Sequence, residues 1–240
     1  MNPLMTDNSP TTHSPIIVAL DYNNEKDVLN FITQIDPTLC RIKIGKELFT
    51  ACGPKLVEKL VVSGYDVFLD LKFHDIPNTV YNACKMASEL GVWMMNVHAS
   101  GGSKMLHMAH EAINESTHKP LLIGVTVLTS MDNTDLHEIG ITDSLENHVV
   151  NLAKLAFACQ LDGVVCSAHE APAIKSNTST EFLTVSPGIR LTHNLADDQT
   201  RIMTPKMAMQ NQVDYMVIGR PITQATNPHE VLTNIINMII

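Results

Sequence analysis

The chain has 240 residues, 45% of them hydrophobic and 17% charged, which supplies a sizeable core and excludes a disordered or fibrous protein. Lys and Arg number 16 against 25 Asp and Glu, a formal net charge of -9 that disfavours nucleic acid as a partner. The five cysteines are odd in number, widely spread and without a C-x-x-C, so they indicate neither a disulfide framework nor a zinc site and suit a reducing cytoplasm.

Residues 1–14 read as a polar N-terminal tail without the basic and apolar regions of a signal peptide, and residues 15–240 as one domain. From there short apolar runs recur: Ile16 to Asp21, Arg41 to Gly45, Val67 to Phe73, Val92 to Ala99, Leu121 to Thr129, Gly163 to Ala168, Phe182 to Pro187 and Tyr215 to Arg220. Rich in Val, Ile, Leu and Met and mostly bounded by Gly, Asp, Asn or Pro, they predict buried strands. The stretches between them predict helices. Pro77 opens one that closes at Gly91, and Thr204-Pro205 and Asn227-Pro228 each place an N-cap residue before a first-turn proline.

Strand and helix thus alternate about eight times at roughly 30 residues per unit, which predicts an α/β fold, a (β/α)8 TIM barrel in a single domain. A doubly wound open sheet would carry a Gly-rich phosphate loop after its first strand, where this chain has Asp21-Tyr22-Asn23-Asn24. The polar stretch Ser130 to His148 follows the fifth strand at what would be the catalytic face, and is the candidate substrate-covering loop. The closing apolar run, Val231 to Ile240, is too short to span a bilayer and predicts a packed last helix rather than a membrane anchor.

Period-two alternation places Phe68, Asp70 and Lys72 on one face of the third strand and Val67, Leu69, Leu71 and Phe73 on the other. The wholly apolar face must meet the helices, so Asp70 and Lys72 point into the barrel at its C-terminal end, with Asp75 a turn further on. Burying three such charges is costly unless they are paired. Asp21 closes the first strand on the face of Ile17 and Ala19, and Lys43 sits opposite Ile42 and Ile44 in the second. An array of Lys43, Asp70, Lys72 and Asp75 alternates in sign. A lysine flanked by carboxylates favours its charged form, which suits Lys72 to donate a proton rather than to form a Schiff base.

The last two strands end in Ser186-Pro187-Gly188-Ile189-Arg190 and Ile218-Gly219-Arg220-Pro221, an arginine and a glycine at each tip. Loops after strands seven and eight of a barrel recurrently hold phosphate, with Gly admitting close approach and Arg a bidentate partner, so a phosphate ester is the expected substrate. Other signals are weaker. His107 and His110 lack a carboxylate in ligand spacing and indicate no metal. His98 follows Asn96 on one face of the fourth strand, where it either reaches the cavity or serves as a core histidine. Gly101-Gly102 suits a strand-to-helix turn at least as well as an anion cradle.

The run Asp70-Leu71-Lys72-Phe73-His74-Asp75-Ile76-Pro77-Asn78-Thr79 closely resembles the signature of the orotidine 5'-phosphate decarboxylase family. The likeness continues through Val18-Ala19-Leu20-Asp21, Lys43-Ile44-Gly45-Lys46, Asn96-Val97-His98-Ala99, Val127-Leu128-Thr129-Ser130, Pro187-Gly188-Ile189-Arg190 and Val217-Ile218-Gly219-Arg220-Pro221. The resemblance implies conversion of orotidine 5'-phosphate to UMP and CO2 in pyrimidine biosynthesis by a homodimer, with no cofactor and no metal. It implies that Lys72 is the proton donor, that Asp70 lies near the departing carboxylate and positions Lys72, and that Asp75 and Thr79 reach in trans into the partner's site. It further implies that Asp21 and Lys43 bind the ribose hydroxyls, Thr129 the pyrimidine, and Arg190, Gln199, Gly219 and Arg220 the phosphate.

Two alternatives stand beside it. The D-x-K-x-x-D core is shared with Mg2+-dependent sugar-phosphate decarboxylases and aldol synthases of the same suprafamily, in which a carboxylate is expected where this chain has Lys43. A non-catalytic nucleotide-binding barrel would have little reason to keep the full charged array.

Overall fold

The computed structural model describes residues 14–191 and 203–239. Eight apolar runs pair as parallel strands: β1 (Ile16–Ala19), β2 (Arg41–Gly45), β3 (Val67–Phe73), β4 (Met94–His98), β5 (Leu121–Val125), β6 (Gly163–Val165), β7 (Leu183–Ser186) and β8 (Tyr215–Ile218). They follow one another round a closed barrel, with β8 hydrogen-bonded back to β1. The helices among the described residues are α1 (Glu25–Ile32), α2 (Lys46–Cys52), α3 (Pro54–Val62), α4 (Pro77–Ser88), α5 (Gly102–Glu115), α6 (Asn133–Glu138), α7 (Leu145–Ala158), α8 (Ala171–Asn177), α9 (Pro205–Gln210), α10 (Arg220–Thr223) and α11 (Pro228–Ile239). This is the single-domain TIM barrel that the alternation predicts. None of these helices is long and apolar enough to cross a membrane.

Period two divides the strand residues between two cores. Ile17, Ala19, Phe68, Met94, Ile123, Val185 and Val217 point inward and pack on each other inside the barrel. Ile16, Val18, Ile42, Ile44, Val67, Leu69, Met95 and Val97 point outward into the apolar faces of the helices. Each fully buried side chain of this size contributes about 1.5–3 kcal/mol, so the two-sided burial fixes both the register and the facing of the polar residues further along the strands. The strands approach closely at Gly163, where a Cβ would lie 2.3 Å from the Leu183 carbonyl oxygen.

The N-terminal end of the barrel is closed by a cation on two rings. The Arg41 guanidinium lies 4.3 Å from the Trp93 ring centroid and 5.1 Å from that of Tyr215. Arg41 also pairs with Asp66 at 3.3 Å and donates to the Ser14 carbonyl at 2.5 Å. Ser14 is therefore tied into the barrel floor, and the remainder of the expected tail, residues 1–13, lies outside the described residues.

The caps read from sequence form as expected. Thr204 accepts the Met207 amide at 3.3 Å and Asn227 accepts that of Glu230 at 3.2 Å, each cap contributing about 1 kcal/mol. The stretch from Ser130 to His148 is not an open loop. Asp132 and Asp135 cap α6 reciprocally, Leu136 is buried beneath it, and α7 already begins at Leu145.

Candidate active site

The site begins with a local irregularity in β3. Leu69 pairs with Met95 and Phe73 with Val97, so three β3 residues, Asp70, Leu71 and Lys72, stand opposite the single residue Asn96 of β4. In this bulge Lys72 adopts a left-handed backbone with φ of 53°, a conformation costing a non-glycine residue about 1–2 kcal/mol. Its N–H donates to the Asn96 side-chain oxygen at 2.8 Å.

Around that backbone the charges alternate. Lys72 Nζ lies 2.5 Å from Asp70 Oδ1, Lys43 Nζ lies 3.2 Å from Asp70 Oδ2, and Asp21 Oδ1 lies 4.0 Å from Lys43 Nζ. Asn96 Nδ2 donates a further bond to Asp70 Oδ1 at 2.7 Å. Burial by itself would raise the Asp70 carboxyl, but Lys43 and Lys72, with the hydrogen bonds from Lys72 and Asn96, outweigh it and hold the group below the usual carboxylate range. Asp70 is thus a buried anion kept ionised by two cations.

These groups open onto a cavity of about 410 Å³ at the C-terminal ends of the strands, of the size that encloses a small molecule. Asp21, Lys43, Asp70, Lys72, Thr129, Arg190, Gly219 and Arg220 line it, above an apolar floor that includes Phe68 and Val217. Gly188, with φ of 81°, makes the turn that brings the β7 tip to the cavity, a conformation suited to glycine. At the β8 tip a Cβ on Gly219 would stand 3.2 Å from Asp21 Oδ2. β8 leads from there into the short α10, which starts at Arg220.

Of the expected site residues, Asp75 and Thr79 do not join the others. Both are exposed and neither lines the cavity of its own chain; the Asp75 carboxylate accepts the Ile76 amide at 2.7 Å instead. Asp75, expected a turn beyond Lys72 in the same cluster, therefore does not converge with Asp70 and Lys72 within one chain, because β3 ends at Phe73 and α4 begins at Pro77. Gln199 lies outside the described residues. Asn96 is the residue that sequence reasoning left without a role; its only signal is an amide on the inward face of β4, between Met94 and His98.

His98 is half-buried, with its ring 5.3 Å from that of His74. Burial, then the charges of His74, Lys46 and Lys72, lower its proton affinity. All five cysteines are unpaired, and burial pushes the Cys40 and Cys84 thiols up to about 12, which removes them as nucleophiles near neutral pH.

A closed parallel barrel whose strand ends carry an alternating charge array over a small-molecule cavity defines a TIM-barrel enzyme. The sequence profile of the orotidine 5'-phosphate decarboxylase / HUMPS family matches residues 14–235. The orotidine 5'-phosphate decarboxylase of Neisseria meningitidis is 54% identical over 237 residues, covering 98% of this chain and 96% of the relative. That of Saccharophagus degradans is 56% identical over 220 residues, 92% of each. The crystal structure of orotidine 5'-phosphate decarboxylase from Lactobacillus acidophilus superposes with a TM-score of 0.85 at 37% identity, over 94% of this chain and 98% of that one. The chain belongs to the orotidine 5'-phosphate decarboxylase family, and its enzyme class is that of a carboxy-lyase.

Proposed function

We propose that Lys72 delivers the proton in the reaction this chain carries out as a member of its family, decarboxylation of orotidine 5'-phosphate to UMP and CO2 in pyrimidine biosynthesis. The observation that carries this reading is the Lys43–Asp70–Lys72 array, an ammonium held 2.5 Å from a buried carboxylate at the cavity wall. In the reaction the bond from the ring to the carboxylate breaks, its electron pair stays on the ring carbon, and CO2 leaves. A proton from Lys72 Nζ then closes that carbon, and solvent restores the lysine. A carbanion with little delocalisation needs electrostatic stabilisation where its charge develops, and the Lys72 ammonium supplies it. A substrate carboxylate beside Asp70 meets like charge that is relieved as CO2 departs.

The remaining groups divide the substrate among them. Asp21 and Lys43 take the ribose hydroxyls and Thr129 the pyrimidine. Arg190, Gly219 and Arg220, at the tips of β7 and β8, take the phosphate, with Gln199 beside them by family resemblance. Phosphate binding remote from the reacting carbon supplies energy that is realised as rate rather than as tighter ground-state binding. Asp75 and Thr79, exposed next to the Lys72 bulge, belong in this reading to the partner subunit's site of a homodimer. The functional unit in this reading is the barrel of residues 15–240, with Ser14 already bonded to its floor. Five unpaired thiols suit the reducing cytoplasm.

The test is the loss of orotidine 5'-phosphate absorbance on adding purified protein, with and without excess EDTA. Conversion to UMP that chelator leaves unchanged supports the reading. Conversion abolished by EDTA and restored by Mg2+, or no conversion, overturns it.

A further inference from the structure

We propose that Asn96 is a positioning residue for the proton donor, its one amide group holding the Lys72 backbone and the Asp70 carboxylate at the same time. This role rests on the reading of Lys72 and Asp70 above and extends it to a residue that does not line the cavity.

Asn96 is fully buried in β4, facing the three-residue bulge of β3. A bulge breaks the regular ladder and turns backbone groups away from it, and a buried amide left unpaired is costly. Asn96 Oδ1 takes the Lys72 N–H at 2.8 Å, and Nδ2 reaches Asp70 Oδ1 at 2.7 Å. The amide has only one possible orientation, because a backbone N–H requires the oxygen and a carboxylate requires the NH2.

Other side chains at this position serve one partner or neither. Serine reaches one of the two, alanine and leucine neither, and an aspartate would set a second negative charge against Asp70. A cation would compete with Lys72 for the carboxylate. The neutral amide orients Asp70 while leaving its charge to Lys43 and Lys72, and it pins the left-handed backbone from which the Lys72 side chain extends. The ammonium position is thereby fixed from both ends, at Cα through the backbone and at Nζ through Asp70.

The experiment compares Asn96→Ala and Asn96→Ser with the unsubstituted protein, the serine variant covering the case in which the alanine variant does not fold. A displacement of about 1 Å in a reacting group costs about 10²-fold in rate, so kcat should fall by about that factor. UMP affinity, set by the other end of the cavity, should change by less than about threefold. Carboxyl ¹³C NMR of Asp70 should show its titration displaced to higher pH, because the ionised form has lost a donor; the other charged groups nearby, Lys43, Lys72, Asp21 and His98, are unchanged by the substitution. A kcat within about twofold of the unsubstituted protein, or a lower kcat with the Asp70 titration unmoved, overturns the proposal. An unsubstituted protein that leaves orotidine 5'-phosphate intact counts against the Lys72 reading instead, and the NMR titration still decides whether Asn96 holds Asp70.

Discussion

Asp70→Ala removes the one carboxylate on which Lys72, Asn96 and Lys43 converge at 2.5, 2.7 and 3.2 Å. What remains is two ammonium groups facing each other in a site where the Lys43 and Lys72 side chains are only 12% and 24% exposed, together with an orphaned amide donor. Breaking a buried ion pair from one side costs about 3–5 kcal/mol, because the surviving charge stays buried without compensation. At about 2–4 °C per kcal/mol for a chain of this length, Tm should fall by roughly 6–20 °C, read by calorimetry at pH 7 without ligand. Asp70→Ala combined with Lys72→Ala should recover part of this loss, a coupling of about 0.5–3 kcal/mol. The pH dependence has a definite sign. Asp70 titrates in the folded protein below its unfolded value of about 3.9, so its contribution is complete above that pH and disappears as pH falls through the folded value. The gap between the variant and the unsubstituted protein should therefore close below about pH 4. An Asp70→Ala protein within about 1 kcal/mol of the original at pH 7 would refute the account of a carboxylate stabilised by two cations.

Lys72→Ala should abolish nearly all turnover while leaving UMP binding largely intact, as measured by single-turnover kinetics and calorimetric titration; near-normal turnover would remove the proton-donor assignment. Arg220→Ala should weaken UMP binding by about 1.5–3 kcal/mol, the value of a hydrogen bond to a charged group, and an unchanged Kd would count against a phosphate role. Mixing inactive Lys72→Ala with inactive Asp75→Ala chains should restore activity, since a hybrid dimer assembles one intact site. No recovery despite demonstrated subunit exchange would reject the contribution of Asp75 in trans.

All eight strands were legible in the sequence because each buries both faces, and a run such as Val67 to Phe73 carries its facing in its alternation. Their ends were less legible. The apolar run from Leu121 extends to Thr129, whereas β5 stops at Val125, because Val127 stays buried at the barrel mouth after ladder pairing has ended and Leu128 is exposed beyond it. Asp132 and Asp135 flank the start of α6 as a capping pair, a local signal within what otherwise reads as a polar loop. The inward placement of Asp21, Lys43, Asp70 and Lys72 followed from periodicity, but the bulge did not. Nothing in the order Asp70-Leu71-Lys72 announces that β4 will oppose three residues with one, and the role of Asn96 depends on that mismatch. Asp75 stays apart from the array within one chain because it lies beyond Phe73, where the strand has ended and alternation no longer sets the direction of a side chain.

The rings of Trp93 and Tyr215 under Arg41, with the apolar layer of Phe68, Met94 and Ile123 above them, make the barrel a vessel whose charged groups lie toward one end. Among the described residues this apolar layer separates the charge array from the barrel floor. The charge array faces the C-terminal end of the barrel, where the nucleotide cavity and a smaller cavity beside Gly45 and Lys46 both reach Lys72, so in the proposed reaction its proton is replaced from that side. Recharging of the donor and departure of the product then take place on one side of the barrel, while the opposite side serves only to hold the strands together.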